Sequence, residues 1–376
     1  MVRAARTAGA GKGVSPLEAI LAQRIRDAGP LGIDEYMMAA LTHPAHGYYA
    51  TRHPLGAAGD FVTAPEVSQM FGELVGLWCV DTWARMGRPD PLILAELGPG
   101  RGTLMADMLR AARVVPEFGR ALRLHLVETS PVLRAAQAAA LKDAEPRWHD
   151  TIETLPEGAL LLVANEFLDA LPIRQLVRKA DGWHERRITL GGDGALAFTL
   201  AAAADAGAVI PPALSGAAPG SLCEIRPAAT ALALTLAARL GRQGGVALFI
   251  DYGHARSACG DTLQAVKGHR RHDVLAEPGT ADVTAHVDFA AFASAATAAG
   301  ARAWGPVTQG AFLVALGLAT RAAALKQRAT PAEAEAIAAA CRRLLDPGEM
   351  GTLFKVLALA HPALPAPAGL SEGLAA

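Results

Sequence analysis

The stretch from Leu92 to Met105 constrains this chain more than any other. The apolar run Leu92-Ile93-Leu94-Ala95 reads as a buried parallel strand. It ends in Glu96-Leu97-Gly98-Pro99-Gly100-Arg101-Gly102-Thr103, and helical periodicity resumes from Thr103 to Arg110. In such a strand, tight turn and helix, glycines tolerate positive φ and carry no side chain, so the backbone can approach a ligand closely. The glycines fall at Gly98, Gly100 and Gly102, with an acid two residues before the first. A dinucleotide-binding turn wants its third glycine one position later, where Thr103 stands. The ligand expected here is nucleotide-like but is not a nicotinamide dinucleotide.

A second acid sharpens this reading. His125-Leu126-Val127 is strand-like and ends in Glu128, where a doubly wound sheet sets its second strand tip beside the first. A carboxylate there can accept both ribose hydroxyls of an adenosine; alternatively Glu128 caps the helix starting near Ser130-Pro131, which Ser130 can do alone. Leu160 to Ala164 reads as the next central strand, and its carboxyl end carries Asn165-Glu166-Phe167-Leu168-Asp169-Ala170-Leu171-Pro172. Ligands bind beyond strand ends in open α/β sheets, which sets Glu166 and Asp169 near the reacting end of the cofactor. The plainer alternatives are a solvated loop acid or cap for Glu166 and a helix-start acid for Asp169.

With 376 residues, 52% of them hydrophobic, the chain can bury a large core. The expected division is a disordered N-terminus (1–14), a helical cap (15–90), an α/β domain (91–361) with insertions at about 173–220 and 254–288, and a disordered Pro-, Ala- and Gly-rich tail (362–376). No apolar run is long and uninterrupted enough to span a bilayer, so no membrane insertion is expected. A net charge of −1 leaves no electrostatic footprint for nucleic acid.

The four cysteines, Cys79, Cys223, Cys259 and Cys341, show no paired spacing. Neither a metal site nor a disulfide framework is expected, and a reducing compartment is the default. The first seventeen residues hold Arg3, Arg6 and Lys12 and no acid, but glycines at 9, 11 and 13 spoil an amphipathic transit helix. The expected location is the bacterial cytoplasm, or the mitochondrial matrix if the source is eukaryotic.

Ser15 to Ala28 forms an amphipathic helix with Ser15 as its N-cap, and Gly32 to Leu41 a second. In the loop His43 to Tyr49, two histidines three apart raise a metal, but no third ligand is close and Pro44 argues for a turn. Gly59 to Glu66 sets Asp60, Thr63 and Glu66 in a loop marked by Gly and Pro, as candidate substrate contacts. A capping box of Thr63 with Glu66 explains that segment equally well. A long core helix follows from Val67 to Met86.

Alternating runs from Gln175 to Phe198, separated by turn pairs, predict an inserted β-meander, closed by the Pro-rich loop 209–220. The buried strand Val246 to Ile250 ends in Asp251-Tyr252-Gly253, where Tyr252 is either a substrate wall or packing. The polar insertion at 268–288 lacks the aromatic interleaving of a nucleic-acid reader and better fits a peptide-substrate loop. His286 and Asp288 can alternatively cap the helix beginning at Phe289.

The pattern Glu-x-Gly-x-Gly-x-Gly at 96–102 is similar to the first motif of class I S-adenosylmethionine (SAM) methyltransferases, whose turn borders the methionine part of the cofactor. With residues 43–49, 59–66, 96–110, 165–172, 251–253, 268–289, 309–313 and 350–356 matching in order, the chain resembles the MidA family of SAM-dependent methyltransferases. Mitochondrial members of that family methylate arginine on a complex I subunit during assembly.

The resemblance implies a class I, Rossmann-like α/β fold with a mostly parallel seven-stranded sheet. Thr352 to Ala358 is then the candidate for its antiparallel edge strand. It also implies SAM as cofactor, held by Glu96, Gly98, Gly100, Gly102, Glu128 and Asn165, with Asp60, Thr63, Glu66 and Tyr252 toward the substrate. Glu166 and Asp169 resemble the acidic loop with which arginine methyltransferases hold a guanidinium, a planar, always protonated group that carboxylates orient bidentately. Fixing one nitrogen in line with the methyl group can supply roughly 7–11 kcal/mol of barrier lowering. The implied partner is a protein substrate, a respiratory complex I subunit. A non-catalytic SAM-binding assembly factor of the same fold is the alternative.

Overall fold

The computed structural model describes residues 15–51, 63–203 and 205–371. Its central sheet is built from β1 (Leu92–Leu97), β2 (Leu122–Val127), β3 (Arg147–His149), β4 (Leu160–Asn165), β5 (Gly245–His254), β6 (Arg302–Thr308) and β7 (Phe354–Ala360). The strand order is β3-β2-β1-β4-β5-β7-β6, with only β7 antiparallel to its neighbours; Val287–Asp288 adds a short parallel pairing to β5. The sheet is mostly parallel and seven-stranded, as expected, but the antiparallel strand is not at its edge: β7 lies between β5 and β6, and β6 forms the edge.

The continuous apolar runs of β1, β4 and β5 follow from burial on both faces. Side chains alternate across the sheet. Leu92, Leu94, Leu161, Val163, Leu248 and Ile250 enter one core, while Ile93, Ala95, Leu160, Leu162, Ala247 and Phe249 enter the other.

Helices α1 (Pro16–Ala28) and α2 (Ile33–Thr42) stand apart from the sheet. Helices α3 (Gln69–Arg85) and α4 (Thr103–Ala112) cover the first face, and α5 (Pro131–Ala140) follows β2. Helices α6 (Pro227–Gln243) and α7 (Phe289–Ala298) cover the second face. Gly76 lets α3 lie directly on α4, since a Cβ there would meet the Met108 carbonyl at 2.5 Å. Asp288 caps α7 by accepting from Ala291 N at 2.9 Å. The long helix expected from 67 to 86 is interrupted: Ser68 is extended, with φ −163°, and its hydroxyl caps Met70 N at 3.2 Å, separating Ala64–Val67 from α3.

The meander strands Arg174–Lys179, Gly182–Leu190 and Leu196–Ala202 pair antiparallel, and Leu222–Ile225 extends their sheet beyond the Pro-rich loop. Leu31–Gly32 joins the same sheet opposite Arg187 and Ile188. The second insertion folds as three short strands, Gln264–Lys267, Arg270–His272 and Asp282–Thr284. Leu17, Leu21 and Met37 from α1 and α2 share one core with Ile188, Leu196, Ala265 and Val283 from the insertions. The N-terminal helices and the insertions thus make one body. Helix α3, placed in the cap by the expected boundary at 90, packs instead as a layer helix of the sheet.

Two further expectations are corrected. Cys223 and Cys259 form a disulfide where none was expected, because the fold brings the meander strand against the loop after β5 despite a sequence separation of 36. The tail is structured as far as it is described, to Ser371. Leu370 is buried, Trp78 Nε1 donates to the Ala368 carbonyl at 3.0 Å, and Gly305 N donates to the Ser371 carbonyl at 2.8 Å. Its apolar residues cover α3, a contact that Pro and Gly content cannot reveal. Among the described residues, no helix is long and apolar enough to cross a membrane.

Candidate active site

The carboxyl ends of β1, β2 and β4, with α2 facing them, enclose a cavity of about 380 Å³. That lies within the usual size of ligand pockets, about 300–1,000 Å³. The glycine turn forms one wall. Gly98 and Gly100 adopt φ values of 59° and 54°, and a Cβ on Gly98 would stand 2.9 Å from the Phe167 ring. Gly102, with φ 85°, is the N-cap of α4 and lies behind the wall, where a Cβ would sit 3.4 Å from Gln137 Cα.

Glu96 lines the cavity at the end of β1 and is only 2% exposed. Its Oε2 has no hydrogen-bond partner among the described residues, and burial pushes its carboxyl up to about 8. A buried acid with an orphaned oxygen suits a cationic ligand group. Glu128 lines the cavity at the end of β2; its two oxygens accept from Ser130 N at 2.8 Å and Gln137 Nε2 at 3.3 Å. Burial raises its carboxyl above the usual range. Ser130 itself caps α5 through Leu133 N at 3.3 Å. Glu128 therefore braces the helix start and still presents lone pairs to the cavity.

Gln137 escaped the sequence reading. Fully buried, it donates to the Gly100 carbonyl at 2.8 Å and to Glu128, and accepts from Trp148 Nε1 at 2.8 Å, tying the glycine turn to the second acid. A single glutamine on an otherwise apolar helix face was the available signal. Asp150 lines the cavity at the end of β3 and pairs with Arg134 at 2.7 Å.

Beyond β4, Glu166 faces the cavity with φ 50°, in the left-handed region where non-glycine residues are rare. Its Oε1 accepts from Ala64 N at 3.2 Å and from Asn165 Nδ2 at 3.1 Å, while Asn165 Oδ1 is buried without a partner among the described residues. Burial first, and then the neighbouring Asp169 carboxylate, push the Glu166 carboxyl up to about 7. Thr63 and Glu66 also line the cavity. The expected capping box does not form: Thr63 makes no side-chain cap, and Glu66 Oε1 accepts from Thr103 Oγ1 at 2.9 Å.

Asp169 and Tyr252 lie behind the wall. Asp169 is 5% exposed, its Oδ1 has no hydrogen-bond partner among the described residues, and burial raises its carboxyl. Tyr252 donates to Thr284 Oγ1 at 2.6 Å and packs edge-on against His286 and Phe354, so its place is the packing alternative. Arg226 holds this region from below, donating to the carbonyls of Asp169, Leu171, Ala285 and His286. His43 and His46 stack with ring centroids 5.2 Å apart. Asp60 lies outside the described residues.

The cavity suits SAM: an orphaned acid for an ammonium, a second acid beside the turn for ribose, and an acid and an orphaned amide oxygen for a sulfonium.

Comparison with known proteins agrees with that fit. The family described as "Putative S-adenosyl-L-methionine-dependent methyltransferase" matches residues 74–307. The chain is 38% identical over 366 residues to the Drosophila melanogaster protein named protein arginine methyltransferase NDUFAF7 homolog, mitochondrial, covering 90% of this chain and 83% of that one. It is 34% identical over 376 residues to the human protein named protein arginine methyltransferase NDUFAF7, mitochondrial, covering 92% and 83%. The crystal structure of a superfamily member from Burkholderia thailandensis bound to S-adenosyl-homocysteine superposes with a TM-score of 0.80 at 31% identity, covering 94% of this chain and 93% of that chain.

Proposed function

Because the chain belongs to the family of S-adenosyl-L-methionine-dependent methyltransferases, we propose that it transfers the methyl group of SAM to an arginine side chain of a partner protein. The names of its relatives support this substrate, and the observation that carries it is Glu166. A half-buried carboxylate sits at the end of β4, faces the cofactor cavity and has its proton affinity raised to about 7. Bound SAM supplies an electrophilic methyl group on a sulfonium.

The chain's own residues then have distinct tasks. Glu96 pairs with the ammonium of the methionine part, Gly98 and Gly100 allow backbone approach, and Glu128 accepts the ribose hydroxyls. Thr63 and Glu66 form the substrate-side wall. Glu166 orients the guanidinium and, titrating near neutrality, takes the proton that leaves the methylated nitrogen. Asp169 acts from behind by raising the proton affinity of Glu166.

The partner class implied by the sequence resemblance is a respiratory complex I subunit. The relatives' mitochondrial names support that compartment for a eukaryotic source, and a bacterial counterpart would act in the cytoplasm. The test is a comparison of methylarginine sites, by mass spectrometry, in cells lacking the protein and in the same cells supplied with wild type or Glu166→Gln. A site restored by wild type and absent with the variant is the expected result. Equal restoration by both would favour a SAM-binding assembly factor that does not catalyse.

A further inference from the structure

Asp251, in β5, is 1% exposed, and its carboxylate organises the start of the loop after β4. Its Oδ2 accepts three successive backbone N–H groups, from Phe167 at 3.1 Å, Leu168 at 2.9 Å and Asp169 at 3.1 Å, and its Oδ1 accepts from Tyr252 N at 2.8 Å. No helix follows to use those three amides, so without Asp251 they would be buried donors lacking a partner. They come directly after Glu166, whose own N–H donates to the Ile250 carbonyl at 2.9 Å. Glu166 is therefore gripped on both sides by adjacent residues of β5. A non-glycine residue keeps a left-handed φ only where its surroundings over-determine it, and this grip does so.

Resting on the cofactor reading above, we infer that Asp251 is a positioning residue that holds Glu166 toward the cavity, so that the site distinguishes the sulfonium of SAM from the neutral thioether of its demethylated product. The two ligands differ at sulfur by one methyl group and one positive charge. A carboxylate fixed in a region of low dielectric attracts the charged ligand strongly, whereas one on a loose loop turns to solvent and does not. The titratable and charged groups around Glu166 are Asp169 and Asp251, the cavity-lining Glu96 and Glu66, and Arg343 as a cation. Burial and Asp169 hold the Glu166 proton to about pH 7, so preference for SAM grows as the pH rises through neutrality.

The experiment measures Kd for SAM and for S-adenosyl-homocysteine at pH 6 and pH 8.5 on the full-length protein, with hydrogen exchange of amides 167–169 followed in parallel. In wild type the preference for SAM should grow about tenfold between the two pH values, equivalent to one unit of proton affinity at a single carboxylate. Asp251→Ala should bind the homocysteine product within about threefold of wild type, exchange those amides faster, and show a preference that no longer changes with pH. Asp251→Asn can turn its amide oxygen toward the three N–H groups, so it should restore both protection and pH dependence; it decides the matter if the alanine variant does not fold. A folded alanine variant with wild-type pH dependence would overturn the inference, as would a flat preference in wild type or its loss in Asp251→Asn with the amides still protected. Wild type that binds neither ligand would instead overturn the cofactor reading on which the inference rests.

Discussion

The hydroxyl of Thr103, the first residue of α4, donates to Glu66 Oε1 at 2.9 Å, joining the helix after the glycine turn to the segment that precedes α3. One wall of the cavity is thereby attached to another through a single neutral–charged hydrogen bond. Glu66→Ala should weaken SAM binding by about tenfold, at the low end of the about 1.5–3 kcal/mol of a hydrogen bond to a charged acceptor, because the bond holds the wall and not the ligand. Calorimetric titration that finds unchanged affinity would show that this attachment does not shape the cofactor site.

Glu128 provides the second prediction. Hydrogen bonds to a charged acceptor contribute about 1.5–3 kcal/mol, so Glu128→Ala should lose roughly tenfold to a hundredfold in SAM affinity. Gln137→Ala should lose less, because Gln137 reaches the ligand only through Glu128 and the Gly100 carbonyl. A ligand lacking the 2′-hydroxyl should bind wild type more weakly than SAM but bind Glu128→Ala equally well. A penalty of the same size in both proteins would remove Glu128 from the ribose.

At the glycine turn, Gly98→Ala meets both a positive φ of 59° and the Phe167 ring at 2.9 Å. It should cost about 1–3 kcal/mol in urea denaturation and depress SAM binding as well. Gly102→Ala faces only ordinary contact at 3.4 Å in a left-handed conformation, so it should lower stability while leaving most of the affinity. Equal loss of affinity in both would mean that the turn responds as a unit.

The acids of the cavity set a pH dependence with a definite sign. Glu96 and Glu166 have folded-state values raised to about 8 and about 7, above those of an unfolded chain. Their contribution to stability is full below about pH 4.5 and is lost as the pH rises toward 8. The ligand-free protein should therefore lose on the order of a few kcal/mol from Glu96 between pH 5 and pH 8.5. Glu96→Gln should show a flatter melting profile over that range, and parallel profiles would refute the assignment.

The disulfide between Cys223 and Cys259 secures the meander to the loop after β5, with Cys223 fully buried beside Leu176 and Ile225. Reduction, or Cys259→Ser, should cost about 2–4 kcal/mol of stability. SAM affinity should stay near wild type, since neither cysteine lines the cavity. Loss of binding on reduction, with the central sheet still folded, would show that the insertions control the site.

Much of the fold was legible because its signals are local. A buried parallel strand must be apolar on both faces, which made β1, β4 and β5 readable, and the glycines at 98, 100 and 102 marked the turn between strand and helix. Strand ends in an open sheet lie together, so Glu96, Glu128, Asn165 and Glu166 could be assigned to one crevice, and all four line it. Asp169 was grouped with them by its nearness to Glu166 in sequence, and Tyr252 by its place after the strand Val246–Ile250, yet both side chains lie behind the wall. Register within a loop depends on contacts that composition does not carry.

By itself, then, the sequence determined the strand–turn–helix unit, the acids at strand ends and the meander, because periodicity and turn chemistry act over a few residues. Only the tertiary structure decided which oxygen each acid presents and to what. Gln137 bridges Gly100 and Glu128, Asp251 gathers the amides of 167–169, and Cys223 reaches Cys259, all between segments brought together by packing. The physical reason is that a buried polar atom must find a partner, and the chain finds it wherever the fold, not the sequence interval, places one.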